Sequence, residues 1–420
     1  MRATSPPVAE DPDSSLALLL SAARGAQACG YGAEDTERLV NELAAQLGMA
    51  DVQVSSLPTQ LQLAIGIPGQ QRLVLLRVEP KPVDLDRIVR LDTVAREVKD
   101  GRVGPREASV RIDAISRARP PYRPPMLLFA YCLAAAGAVF LFGEDLPEAI
   151  VAAISGVAVG AIAVARPRLR GLDLVAELLS ALVAGFICQT ASARIWPLDS
   201  RVATLGALVV LLPGFTLTQA VRELQTRNLL SGLAGLGLAA VTFFALVIGG
   251  VLGGALGARL FGPARVPPVD ELPTAMFLLG AAALGLASVV VLRAPRREAP
   301  TVVGSALLSA GVSHAVARSL GPALGAFAGA VVIGLAAHLS AHLRRHPVWL
   351  VTIPGVLVLV PGSIGYRSLL DLVDRDVATS IEAGFQMFLT ASAIVFGLLM
   401  TDALGARSRR WPDGRLSTSG

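Results

Sequence analysis

The sequence predicts a mostly α-helical, polytopic membrane protein with ten spans in two inverted five-helix repeats, preceded by a small N-terminal α+β soluble domain. Three observations carry this. Residues 1–120 hold charges throughout and no apolar run of spanning length, whereas from Met126 to Met400 apolar runs recur and charges retreat to short gaps. Ten of those runs approach the length a helical crossing needs, roughly 20 residues. Finally, Leu211-Leu212-Pro213-Gly214 is echoed 148 residues later by Leu359-Val360-Pro361-Gly362, and the same shift carries Met126 onto Thr274, where the two halves begin.

Residues 1–13 are rich in Pro, Ser and acid and read as disordered. Leu16 to Ala23 has the look of a signal-peptide core, but Glu10, Asp11 and Asp13 stand where such a peptide needs positive charge. A helix of a soluble domain spanning 14–119, expected on the cytoplasmic side, fits better. The spacing of Leu39, Leu43 and Leu47 predicts a helix ending at Gly48. Alternation at 52–57 and 61–65, with Pro58 between, predicts two half-buried strands, and 72–78 a third. Asp84 is placed to cap a helix through Ile88, Leu91, Val94 and Val98 that stops at Gly101, and a last helix runs from Pro105 to Ala118. Residues 120–125 form a stiff Pro-rich connector.

The first repeat occupies 126–257, with runs at 126–143, 146–165, 172–190, 202–218 and 229–257. The fifth is too long for one straight crossing and must tilt or project. A linker at 258–273, rich in Pro, Gly and charge, separates it from the second repeat at 274–404. There the runs fall at 274–292, 301–317, 322–340, 348–366 and 380–402, the second of them short and rich in Ser, before a tail at 405–420. An odd number of crossings per copy makes the second copy enter from the opposite face, so the repeats are inverted. With both termini in the cytoplasm, inner gaps and tail hold 14 arginines against 7 in outer gaps, as the bias of cytoplasmic loops toward positive charge requires.

The net charge of +5 does not point to nucleic acid, because the arginines sit between spans and Lys81 and Lys99 are the only lysines. Cys29, Cys132 and Cys188 are too few and too scattered for a metal site or a disulfide framework. There is no HExxH, no Walker glycine loop and no GxSxG, so neither an enzyme nor an ATP-driven pump within this chain is expected, and no cofactor. The expected partners are the lipid bilayer, a small solute and protons, with room for a homo-oligomer.

Candidate site residues follow from what a broken membrane helix exposes. Proline removes a backbone donor and glycine tolerates irregular angles, and freed main-chain groups need a neighbour, water or a ligand. A small zwitterion supplies both an ammonium and a carboxylate. The substrate-binding candidates are therefore Pro213, Gly214, Thr216 and Thr218 in the first half and Pro361, Gly362, Ser363 and Tyr366 in the second. The competing reading is that each pair merely ends a span. Ionisable residues within spans are costly and hence candidates for proton coupling: Glu177, His314, His338 and Glu382. Gln189, Gln219 and Gln386 are weaker, as substrate hydrogen-bonders or interhelical glue. Thr301, Ser305, Ser309 and Ser313 form a hydroxyl stripe, either a permeation wall or a packing face, with packing favoured. Glycine seams at Gly249, Gly253 and Gly257 and at Gly321, Gly325 and Gly329 read as close packing.

Three stretches carry a family resemblance. The soluble domain has Gly32-Ala33-Glu34-Asp35-Thr36-Glu37-Arg38, then Gln46-Leu47-Gly48, Pro58-Thr59 between strands, and Gly104-Pro105-Arg106-Glu107-Ala108-Ser109. The first half has LLPGFTLTQAVREL at 211–224 followed by Ser231-Gly232, and the second has PGVLVLVPGSIGYRSL at 354–369. Together they resemble the threonine/serine exporter family of bacterial inner-membrane proteins across nearly the whole chain. The resemblance implies export of threonine and serine driven by the proton motive force, as an antiport, without ATP. It also implies that the halves, separate partner subunits in some relatives, are fused here. Leu233-Ala234-Gly235 follows Ser231-Gly232 where the family leads one to expect a basic residue nearby. Export of another small solute, such as a dipeptide or organic acid, and a membrane sensor or enzyme acting through residues 14–119 are the alternatives.

Overall fold

The computed structural model describes residues 12–49, 51–57, 60–66, 71–78, 82–168, 171, 175–266, 273–344 and 346–408. Most of the leader, part of the 258–273 linker and the tail beyond 408 lie outside the described residues.

The N-terminal part folds around one apolar core. Helices α1 (Pro12–Ala28) and α2 (Ala33–Gln46) precede an antiparallel sheet of β1 (Val52–Leu57), β2 (Gln60–Ile65) and β3 (Arg72–Arg77) in the order β1-β2-β3. Val54 pairs with Leu63, and Leu63 with Val74. Helices α3 (Leu85–Lys99) and α4 (Pro105–Arg117) complete it. Asp84 caps α3 by accepting from the Arg87 amide, which satisfies one of the donors a helix start leaves open. Leu18 and Leu19 of α1, Leu43 of α2, Leu61 and Leu63 of β2 and Ile112 of α4 are buried together. Helix α1 begins at Pro12, two residues inside the acidic leader.

Among the described residues, nine helices are long and apolar enough to cross a membrane. The first half comprises α5 (Pro124–Leu141), α6 (Leu146–Ala165), α7 (Ala176–Arg194), α8 (Ser200–Ala207), α9 (Gly214–Gln225) and α10 (Leu229–Phe261). The second comprises α11 (Thr274–Val291), α12 (Ala299–Leu320), α13 (Pro322–Arg344), α14 (Trp349–Leu359), α15 (Gly362–Val373) and α16 (Val377–Ser408). The run at 348–366 is split, into α14 and α15, and so is the run at 202–218, but only the latter has no counterpart among the nine. It forms two short helices, α8 and α9, because Pro213 has no amide to continue the hydrogen-bond ladder. An apolar run measures composition, not helical continuity.

The two proline breaks share one geometry. Pro213 (φ −79°, ψ 32°) and Pro361 (φ −81°, ψ 34°) each precede a 12-residue helix. Each helix is followed by an arginine at positive φ, Arg227 at 69° and Arg375 at 67°. Next comes a very long helix, α10 of 33 residues and α16 of 32. The residue pairs 213/361, 227/375 and 229/377 all keep the 148-residue spacing.

Small residues set the close contacts. A Cβ on Gly253 would lie 2.0 Å from the Leu182 carbonyl oxygen and one on Gly249 2.3 Å from that of Leu178, so the α10 seam is where α10 meets α7. Gly325 likewise abuts the Ser313 carbonyl oxygen, packing α13 on α12. Gly137 of α5 and Gly280 of α11 bring the two halves together, each with the other's carbonyl oxygen within 2.8 Å of a would-be Cβ. Without a hydrophobic drive between helices in lipid, such backbone approach is a main source of their association. Exposed Leu233, Val241, Phe244, Ile248 and Leu252 make the outer face of α10 apolar.

Candidate functional site

The ends of the helices sort into two sets of contacts. At one end the N-terminal domain docks: the amides of Leu85 and Asp86 donate to the carbonyls of Leu292 and Arg293. Tyr122 Oη donates to the Ala294 carbonyl at 2.7 Å, Ser231 Oγ to that of Ser56, and Tyr31 meets Trp349 edge to face. At the far end Arg201 pairs with Asp374, Glu148 accepts from the Asp199 amide, and the Leu198 amide donates to the Arg265 carbonyl.

These contacts fix the direction of the broken crossings. The chain enters α8 at the far end, beside Arg201, and leaves α9 at the docked end, beside Arg222. It enters α14 at the docked end, beside Trp349, and leaves α15 at the far end, beside Asp374. Both proline breaks therefore fall between the two ends, with α9 and α15 running away from them in opposite directions.

The breaks touch. A Cβ on Gly214 would lie 2.9 Å from both Cα and N of Gly362, and one on Gly362 would lie 3.3 Å from Cα of Gly214. The first intrahelical bonds are from Leu217 N to the Pro213 carbonyl and from Gly365 N to that of Pro361. The amides of Gly214, Phe215 and Thr216, and of Gly362, Ser363 and Ile364, precede those bonds and project from the helix ends. Among the described residues, no side chain caps either end. Each end carries about half a positive charge from the helix dipole, so the pair forms a locally positive place that needs no ionised side chain.

Beside this meeting point lies a cavity of about 330 Å³. Gly214 and Phe215 of the first half and Pro361, Gly362 and Ser363 of the second line it, together with residues of α5, α11, α12, α13 and α16. Phe142, Phe277, Ala317 and Pro322 place it on the far side of the breaks.

The structure gathers some of the sequence candidates here and separates others. Gly214, Pro361, Gly362, Ser363 and His314 line the cavity, and Pro213 is the buried cap residue behind Gly214. Thr218 spends its hydroxyl on the Gly214 carbonyl, 3.0 Å away. Thr216 is half-buried on the next turn and does not line the void. Tyr366 is 1% exposed and packs with Tyr131 and Phe243 in the core of the first half, its Oη against Gly250. Glu177 stands in the first turn of α7 rather than deep in a span, paired with Arg166 at 3.0 Å. His338 lies near the docked end, 3.0 Å from Asp402, and Glu382 is exposed near the start of α16. The hydroxyl stripe divides: Ser305 and Ser309 are buried in packing, with Ser309 donating to the Gly355 carbonyl at 2.8 Å, while Ser313 reaches the cavity.

Sequence reasoning missed Thr390, which lines the cavity from α16. A lone threonine in a long apolar helix carries no motif. It also missed the docked-end cluster. Arg222 of α9, 7% exposed, lies 3.4 Å from Asp35, 3.7 Å from Glu34 and 3.9 Å from Asp402, and stacks over Trp349. Glu223 accepts from the Ala33 amide at the start of α2. Burial pushes the Asp35 carboxyl above the usual carboxylate range, while Arg222 and Arg38 pull it back. The signal available was the acidic run Glu34-Asp35 opposite the Arg222-Glu223 pair, but nothing in the sequence brings residues that far apart together.

Comparison with protein families gives two matches. Residues 17–257 match a family model described as a threonine/serine exporter, and residues 276–404 match a second described as threonine/serine exporter, ThrE. Searches of curated proteins and of solved structures return no match.

Proposed function

Since the chain belongs to the threonine/serine exporter family, we propose that it is a secondary exporter of threonine and serine, driven by the proton motive force across a bacterial inner membrane. The observation that carries this reading is the meeting of two uncapped helix starts at Gly214 and Gly362 beside a small, partly open cavity. Converging amides suit an amino acid's carboxylate, and the small void suits a small molecule.

In this reading the two halves are inverted copies. Their support is the matched backbone at Pro213 and Pro361, the matched arginines at positive φ, and the opposite travel of the two broken crossings. Both termini lie in the cytoplasm, so the docked end is the inner end, where the gaps richest in arginine also lie. The cavity then opens toward the periplasmic half, while the docked soluble domain closes the cytoplasmic half through α9. Export requires the reverse arrangement as well. The Arg222 cluster must loosen, α9 must move from α2, and the helix starts must face the cytoplasm to load substrate. Among the proton-coupling candidates, His314 at the cavity and His338 with Asp402 at the inner cluster stand where such a cycle needs a titrating group.

Cells loaded with labelled threonine test the proposal. Expression is expected to speed efflux severalfold, and a protonophore to abolish the gain. Unchanged efflux from cells with verified membrane insertion rules it out.

A further inference from the structure

The interface between the N-terminal domain and α9 holds more acid than base. The Asp35 side chain on α2 is wholly shielded and faces Arg38 of its own helix at 2.7 Å and Arg222 of α9 at 3.4 Å. Around these stand Glu34 of α2, Glu223 of α9 and Asp402 of α16, with His338 of α13 against Asp402. Tyr31, ahead of α2, and Trp349 of α14 complete the surroundings, and burial keeps the Tyr31 phenol neutral. Four carboxyls thus meet two guanidinium groups, and His338 adds a third cation only when protonated. Full ionisation leaves net negative charge where Asp35, Arg222 and Glu223 are all buried, which is costly. The Arg222 ion pairs do not offset it well. They span 3.4 to 3.9 Å, against about 2.8 Å in a well-formed charge-assisted bond. Among the described residues, Arg222 Nε and Glu34 Oε2 are enclosed without a hydrogen-bond partner.

We infer that Asp35 takes up a proton when the N-terminal domain closes on α9 and returns it to the cytoplasm when the domain departs, so that cytoplasmic acid holds the inner end shut. Burial disfavours the charged form of the docked carboxyl more than Arg222 and Arg38 favour it. The docked state therefore binds the proton more tightly than the open one. One linked proton shifts such an equilibrium by at most about tenfold per pH unit. Docking is strengthened as pH falls and lost as pH rises through the raised range of Asp35. The inference rests on the exporter reading for its meaning and adds a regulatory site outside the bilayer. An exporter that admits protons acidifies the cytoplasm, and this latch closes it in response.

The test uses the purified full chain in detergent, where no gradient exists. With Trp196 and Trp411 replaced by Phe, Trp349, which lies under Arg222 and against Tyr31, reports docking through its quenching by acrylamide between about pH 5 and pH 8. Quenching is expected to rise severalfold with pH. Asp35→Asn, neutral throughout, is expected to abolish the transition and leave Trp349 protected. Arg38→Gln, at a half-exposed site, removes a cation that favours ionised Asp35 and is expected to move the midpoint to higher pH. A transition that persists in Asp35→Asn, an unmoved midpoint in Arg38→Gln, or no transition in the parent protein overturns the inference. So does a transition lost in His338→Gln and kept in Asp35→Asn, which places the proton on the histidine. Should Asp35→Asn fail to fold, Arg38→Gln decides alone. Efflux of labelled threonine, measured in parallel, separates the two readings: the expected quenching profile in a protein that exports no threonine supports the latch and overturns the exporter.

Discussion

Gly214 and Gly362 show how much of the site is decided by single atoms. A methyl group on Gly214 would fall 2.2 Å from Val360 Cγ1 and 2.9 Å from the Gly362 backbone, so accommodation needs backbone movement. On Gly362 the nearest atom is Leu212 Cβ at 3.2 Å, a contact that relaxes by a few tenths of an ångström. Gly214→Ala is therefore expected to abolish efflux and to cost about 1–3 kcal/mol by overpacking, visible as a lower melting temperature. Gly362→Ala is expected to fold normally and keep part of its efflux. Equal behaviour of the two variants would mean that the breaks do not touch as described. The proline–glycine pairs were legible in the sequence because their chemistry is intrinsic: a missing amide and a missing Cβ act wherever they stand. The place of Thr390 in the cavity lining was not, since no motif marks it out from any other helical threonine.

At the scale of elements, α9 joins the cavity to the soluble domain. It starts at Gly214 and over its twelve residues presents Gln219, Arg222 and Glu223, all engaged with the start of α2 or with Gly32 just before it. A Cβ on Gly32 would meet Gln219 Nε2 at 2.0 Å, and Gly32 has extended backbone that accepts a side chain. With the three native cysteines replaced, Gly32→Cys combined with Gln219→Cys is expected to cross-link α2 to α9 on oxidation and to stop efflux, with recovery on reduction. Full efflux from the cross-linked protein would make the docked domain a static support. The strands and the caps at Asp84 and Gly48 follow from local pattern and could be read in advance. The docking of α2 on α9 depends on residues nearly two hundred positions apart, as in the Ala33–Glu223 bond, and no local pattern encodes it.

For the whole molecule, the contacts define two ends, and the orientation assigned to them is open to direct measurement. Single cysteines at Asp145 and Arg375 are expected to react with an impermeant maleimide in intact cells. Cysteines at Arg227 and Arg297 are expected to react only after permeabilisation. The reverse pattern would invert the protein and turn the proposed outward-side cavity into an inward one. The run at 202–218 belongs to this scale too. It read as one crossing because its composition is apolar, yet it is divided between α8 and α9.

The sequence by itself determined that the chain is a mostly helical membrane protein, where its apolar runs lie, and where two helices must break. These properties follow from hydrophobicity, periodicity and the covalent peculiarities of proline and glycine, which act locally. Only the tertiary structure decided that the two breaks meet, that a void opens beside them, that Tyr366 belongs to the core and Thr390 to the wall, and that α9 ties that void to the soluble domain. Those outcomes depend on which helix faces which. In lipid that choice is made by the fit of small residues across whole surfaces, such as Gly137 against Gly280 and Gly253 against Leu182, and not by any segment taken alone.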